Sequence, residues 1–90
     1  MKLAVKIKLN ESAKAEGLEI SFTNYIERMS TEEKFSYTIF DLTLKTGGKS
    51  KDIKFKVDAS SGRPVERWEG YRITFLDGFR GEIELKVEKE

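Results

Sequence analysis

The 90-residue chain has no cysteine and no histidine. Without thiols there is no disulfide, zinc–thiolate centre or thiol nucleophile. Without imidazole, Ser-His-Asp and Cys-His mechanisms lose their base and a haem loses its commonest ligand. Glutamine is also missing, asparagine occurs only at Asn10 and Asn24, and proline only at Pro64. No run of 18 apolar residues is present, so no membrane-spanning helix is expected. No leader pattern of charge, apolar run and small residues opens the chain, which fits a cytoplasmic protein or one whose export signal has been removed. An excess of one charge is lacking too: 17 Lys+Arg face 16 Asp+Glu, for a net charge of +1. A dedicated nucleic-acid binder carries a marked basic excess, so nucleic acid is not the favoured partner.

What is present is charge and aromatic bulk. Charged residues make up 37% of the chain, hydrophobic residues 38% and aromatic residues 11%. The length suits one domain spanning residues 1–90, with a thin, aromatic-rich core. Abundant Lys and Glu with little Asn and no Gln, Cys or His match a thermophile's composition, and a designed or reconstructed sequence would share it.

The dominant pattern is alternation with period two, the mark of half-buried strands. Leu3, Val5, Ile7 and Leu9 alternate with Lys2, Lys6 and Lys8. Leu18, Ile20 and Phe22 open a strand that continues through Tyr25 and Ile26 to about Met29, and a short strand is expected near Ser12–Ala15. Phe35, Tyr37 and Ile39 share one parity while Phe40, Leu42 and Leu44 share the other. A β-bulge at Ile39–Phe40, or a strand passing between sheets, would produce that phase break. A turn over Thr46–Ser50 leads into Ile53, Phe55 and Val57. The stretch from Asp58 to Gly70 reads as irregular. Tyr71, Ile73 and Phe75 then precede Asp77-Gly78, a hairpin signal by itself or as the start of a longer loop through Phe79-Arg80-Gly81. Ile83, Leu85 and Val87 close the series. Six strands and a short seventh at this spacing predict an all-β, antiparallel, two-sheet immunoglobulin-like sandwich; a small OB-like barrel is the alternative.

Charge follows the segments. Residues 11–33 hold six acids and two bases, 45–56 five lysines and one acid, and 82–90 four acids and two bases. The outward lysines of the first strand and outward glutamates of the last are complementary, which predicts that these strands are neighbours.

Two segments are candidate binding sites. Arg63, Arg67, Trp68, Tyr71 and Arg72 lie within ten residues, and Arg, Trp and Tyr are the types enriched at binding hot spots. Their alternative role is to cap the open end of the core. Lys45, Lys49, Lys51, Lys54 and Lys56 could hold a polyanion or single-stranded nucleic acid, or keep a sheet edge soluble. Glu32-Glu33 and Asp58 with Glu66 are the nearest approach to an acid–base pair, and Asp41, Asp52 and Asp58 lack calcium-loop spacing. No catalytic residue, metal ligand or cofactor site is assigned.

The runs Lys8-Leu9-Asn10-Glu11-Ser12, Gly17-Leu18-Glu19-Ile20-Ser21-Phe22 and Gly70-Tyr71-Arg72-Ile73-Thr74-Phe75-Leu76 resemble small prokaryotic immunoglobulin-like β-sandwich domains of exported proteins and lipoproteins. Many relatives in that group carry a lipid-attachment or disulfide cysteine, and Asn10 stands where a turn glycine is usual. Trp68-Glu69-Gly70-Tyr71-Arg72 after an Ile-x-Phe-x-Val strand is similar, more faintly, to the extracytoplasmic β-rich part of ResB-type cytochrome c maturation proteins. Both resemblances imply a place outside the membrane. The resulting expectation is a non-catalytic interaction or structural module that binds a protein or another ligand, as a monomer or weak homodimer. A polyanion binder and a scaffold with no biological role are the alternatives.

Overall fold

The structure, a computed structural model, describes residues 2–30, 35–58, 62–79 and 81–90. Among them are eight strands and no helix: β1 (Lys2–Lys8), β2 (Ser12–Ala15), β3 (Leu18–Ser30), β4 (Phe35–Thr46), β5 (Lys49–Asp58), β6 (Val65–Trp68), β7 (Tyr71–Phe79) and β8 (Glu82–Lys89). They form two four-stranded antiparallel sheets, ordered β1-β8-β7-β6 and β2-β3-β4-β5, packed face to face as a sandwich. Every neighbouring pair is consecutive in sequence except β1–β8. The order is therefore an up-and-down meander folded over on itself.

Alternation explains the layers. Ile20, Phe22, Leu42 and Leu44 from one sheet and Ile73, Leu85 and Val87 from the other are fully or almost fully buried. Intervening residues such as Lys6, Glu19, Lys54 and Glu84 point away from this core. Three hairpins, through Glu16–Gly17, Gly47–Gly48 and Glu69–Gly70, turn at paired residues with positive φ, the two-residue geometry that matches the twist of adjoining strands.

The first and last long strands are paired, as their charges predict: Lys6 lies opposite Glu84 and Lys8 opposite Glu82. Other expectations need correction. The strand count is eight rather than six or seven, because the segment read as irregular contains β6, whose four residues pair with β7 from Val65↔Thr74 to Trp68↔Tyr71. The β-bulge expected at Ile39–Phe40 is absent. The β4–β5 register runs unbroken from Tyr37↔Asp58 to Thr46↔Lys49, and the irregularity lies across the ladder, between Phe22 and Asn24 of β3. Nor does β4 change sheets. From Tyr37 onward its two apolar parities face opposite sides of one sheet, with Phe40, Leu42 and Leu44 inward and Tyr37 and Ile39 outward.

Asp77-Gly78 is not the hairpin turn either. It lies within β7, just after a register shift between Phe75 and Asp77. A Cβ on Gly78 would collide with the Phe75 ring and come within 2.8 Å of the Phe40 ring tip, so this glycine supplies room for two packed aromatics.

Candidate interaction surface

The five residues of the Arg/Trp/Tyr segment are dispersed by the pairing of β6 with β7. Tyr71 is buried in the core, and Trp68, its register partner, packs against the core's edge half-buried. Arg67 and Arg72, the next pair, turn to the outer face of the sheet, where each meets its own acid: Arg72 Nη2 lies 2.9 Å from Glu88 Oε1, and Arg67 Nε lies 3.6 Å from Glu90. Lys86 joins Glu88 at 3.4 Å. The Arg72 hydrogen bond, aided by the charges of Arg72 and Lys86, holds the Glu88 carboxyl below its ordinary value against the desolvation that raises it. Arg72, Arg67 and Val65 line a groove with Thr74 and Lys86. Arg63 lies before β6, exposed.

The five lysines are likewise divided. Lys54 and Lys56 face outward on β5, with Lys45 on the same face of β4, whereas Lys49 and Lys51 alternate to the other side. Lys49 Nζ reaches Glu69 at 3.3 Å, Lys54 Nζ stands 3.8 Å from Asp41, and Lys56 Nζ sits 4.6 Å above the centre of the Tyr37 ring. Gly47, Gly48, Lys14, Lys45, Lys49 and Glu19 line a concavity at the β4–β5 turn. Among the carboxylate pairs, Glu32 and Glu33 lie outside the described residues, while Asp58 ends β5 and Glu66 is half-buried on β6.

A further surface comes from the long hairpin. β3 and β4, with 13 and 12 residues, outrun the seven to nine residues of β1, β7 and β8. The full molecule is 44 Å long. A nine-residue strand spans only about 30 Å, so the hairpin's far part extends as an arm past the opposite sheet. On its core-facing side the fully buried side chains stop at Phe22 and Phe40. Beyond them Tyr25 is partly buried, Thr38 is half-buried and Glu27 is exposed.

The arm's outer side is more apolar than the rest of that face. Ile26, 36% exposed, stands opposite Ile39, and Ile39 stands opposite Lys56. The next row is Arg28, Tyr37 and Asp58. Nearer the turns the face is hydroxyl-rich: Ser12 and Ser21 share a 2.7 Å hydrogen bond, and Thr43 donates to Asp52 at 2.8 Å. Reasoning from sequence missed Ile26, Tyr37 and Ile39 as a surface group. Their signal is the phase break in Phe35–Leu44, which a bulge or a strand passing between sheets would also produce.

A comparison with protein-family models finds no matching family, and comparisons with curated proteins and with solved structures find no match. The class that the coordinates define is thus the architecture itself: an all-β sandwich of two antiparallel four-stranded sheets. No helix of the described residues is long and apolar enough to cross a membrane.

Proposed function

We propose that this chain is a non-catalytic interaction module that holds a partner protein against the outer face of the β3–β4 arm. The observation that carries the reading is the placement of Ile26, Tyr37 and Ile39 on an outward face, outside the hydrophobic core that the described residues form. An outer sheet face is ordinarily polar, as the Ser/Thr rows beside this group are. Apolar and aromatic side chains with Arg28 and Lys56 around them have the make-up of a small docking patch with a charged rim. The resemblance to domains of exported proteins supports an extracytoplasmic setting. The immunoglobulin-like part of that resemblance rests on the sandwich architecture, since the strand order is a meander.

The test is capture from a lysate of the parent cells on immobilised protein. Ile26→Ser with Ile39→Ser should lose the captured protein, while Lys51→Ser, on the exposed β5 edge, should retain it. Equal capture by all three proteins would overturn the reading.

A further inference from the structure

Among the described residues, the edge of β3 is open along the arm. The β2 ladder covers β3 from Leu18 to Ser21, and two main-chain bonds extend the cover by one residue: Phe22 N–H to Glu11 O at 3.0 Å and Asn10 N–H to Phe22 O at 2.7 Å. From Thr23 to Ser30, no strand among the described residues pairs on that side. An open strand edge of this length is a template for another strand.

We propose that the chain self-associates through this edge, β3 pairing antiparallel with β3 of a second copy so that Ile26 meets Ile26 on a two-fold axis. The register follows by elimination. A two-fold axis normal to the sheet keeps outer faces together, so the alternatives are pairings centred on successive residues. Centring on Tyr25 would slide Met29 and Ser30 of the second copy onto Ser21 and Ile20, which the β2 ladder already pairs with Ser12 and Ala13, whereas centring on Ile26 stops short of that ladder. Centring on Glu27 sets glutamate against glutamate, and centring on Arg28 sets arginine against arginine. Like charges directly opposite each other destabilise a ladder. Centring on Ile26 avoids both clashes, sets Arg28 of each copy opposite Asn24 of the other, and places two exposed isoleucines in contact.

The other long edge is less suited to a second copy. β5 carries Lys49, Lys51, Lys54 and Lys56 against Asp52 and Asp58, so self-pairing there gathers positive charge. On β3, residues 24–28 hold one acid and one base. Pairing at β3 also builds one continuous outer row, Lys56–Ile39–Ile26 followed by Ile26–Ile39–Lys56 of the second copy. The apolar group on each arm is doubled.

The geometry makes the axis addressable. Phe22 faces the core and directs its N–H and C=O toward the β2 side. Ile26 faces outward and so directs them toward β4. Across the axis Ile26 therefore forms a non-hydrogen-bonded pair, with Cα atoms about 4.5 Å apart, inside the range that a disulfide spans. The chain has no cysteine to compete.

The experiment is oxidation of Ile26→Cys and, separately, Lys51→Cys, alongside sedimentation of the unaltered chain over a concentration series. Ile26→Cys should crosslink at least about tenfold faster than Lys51→Cys, because a paired thiol meets its mate at millimolar effective concentration. Ile26→Asp should shift the sedimenting species to the monomer with its β-sheet spectrum intact. A chain that stays monomeric up to about 1 mM, the limit of a marginal contact, would overturn the proposal. So would equal crosslinking of the two cysteine variants. A monomer that still captures a partner through Ile39 would sink only the edge pairing, and a dimer that captures nothing would sink only the docking face.

Discussion

The phenol of Tyr71 donates a 2.6 Å hydrogen bond to the main-chain carbonyl of Glu16, tying β7 of one sheet to the β2–β3 turn of the other. The turn is shaped to receive it. Glu16 and Gly17 have φ values of 54° and 84°, and a Cβ on Gly17 would come within 3.2 Å of the hydroxyl. Tyr71 is therefore a tie between layers. Tyr71→Phe should keep the ring in place, leave the Glu16 carbonyl without its donor, and lower stability by about 1–2 kcal/mol. Urea unfolding should show an earlier midpoint at unchanged slope. An unmoved midpoint would mean that the carbonyl finds water instead.

Gly78 faces inward at the point where the Phe40 and Phe75 rings pack with centroids 5.1 Å apart. Its φ is not in the left-handed region, so space alone demands glycine. Gly78→Ala should cost about 1–3 kcal/mol as an overpacked core. Paired with Phe75→Leu, which withdraws the nearest ring atoms, it should cost less than the sum of the two single changes. Strict additivity in thermal or denaturant unfolding would count against the clash.

The β1–β8 ladder sets Lys6 directly opposite Glu84. Lys6→Glu should destabilise by about 0.2–1 kcal/mol through like charges across the strands, and Glu84→Lys in the same chain should restore most of the loss. The double-mutant cycle should weaken as salt is added, because the pair faces solvent. A cycle that closes to zero at low salt would show that the lysine and glutamate rows are neighbours without coupling.

That ladder was legible because charge and period two act together over seven residues. The sandwich architecture was legible for the same reason, since Ile20, Leu42, Ile73 and Leu85 each sit in a clean alternation. Where the pattern had two physical causes, it misled. Apolar residues on both parities of Phe35–Leu44 arise from a bulge or from a strand with two apolar faces, and only the register distinguishes them. β6 was hidden because four residues bearing Glu66 and Arg67 carry no apolar alternation of their own; β7 supplies its pairing. Asp77-Gly78 has turn chemistry, but packing of Phe40 over Gly78 outweighs it. The arrangement of the candidate binding residues was likewise not legible from their spacing. Arg, Trp and Tyr close together in sequence separate once adjacent positions on β6 and β7 point to opposite faces, sending Trp68 and Tyr71 inward and Arg67 and Arg72 outward.

Arg72, held outward, gives the molecule a defined acid response. Its hydrogen bond to Glu88, with the charges of Arg72 and Lys86, keeps that carboxyl below the ordinary glutamate value of 4.5. The unfolded chain, lacking these partners, takes up a proton at Glu88 at higher pH than the folded chain does. The contribution is therefore fully present above the ordinary value and is lost as pH falls through it toward the folded one. Glu88→Gln removes the titration. At neutral pH the variant should be less stable than the parent, and the two stability curves should converge as pH falls from the ordinary glutamate value through the lower folded one, where the parent's carboxylate is also neutralised. Denaturant unfolding of both proteins at several pH values measures this directly. Curves that stay parallel down to the acid limit would show that the Arg72–Glu88 contact contributes nothing in solution.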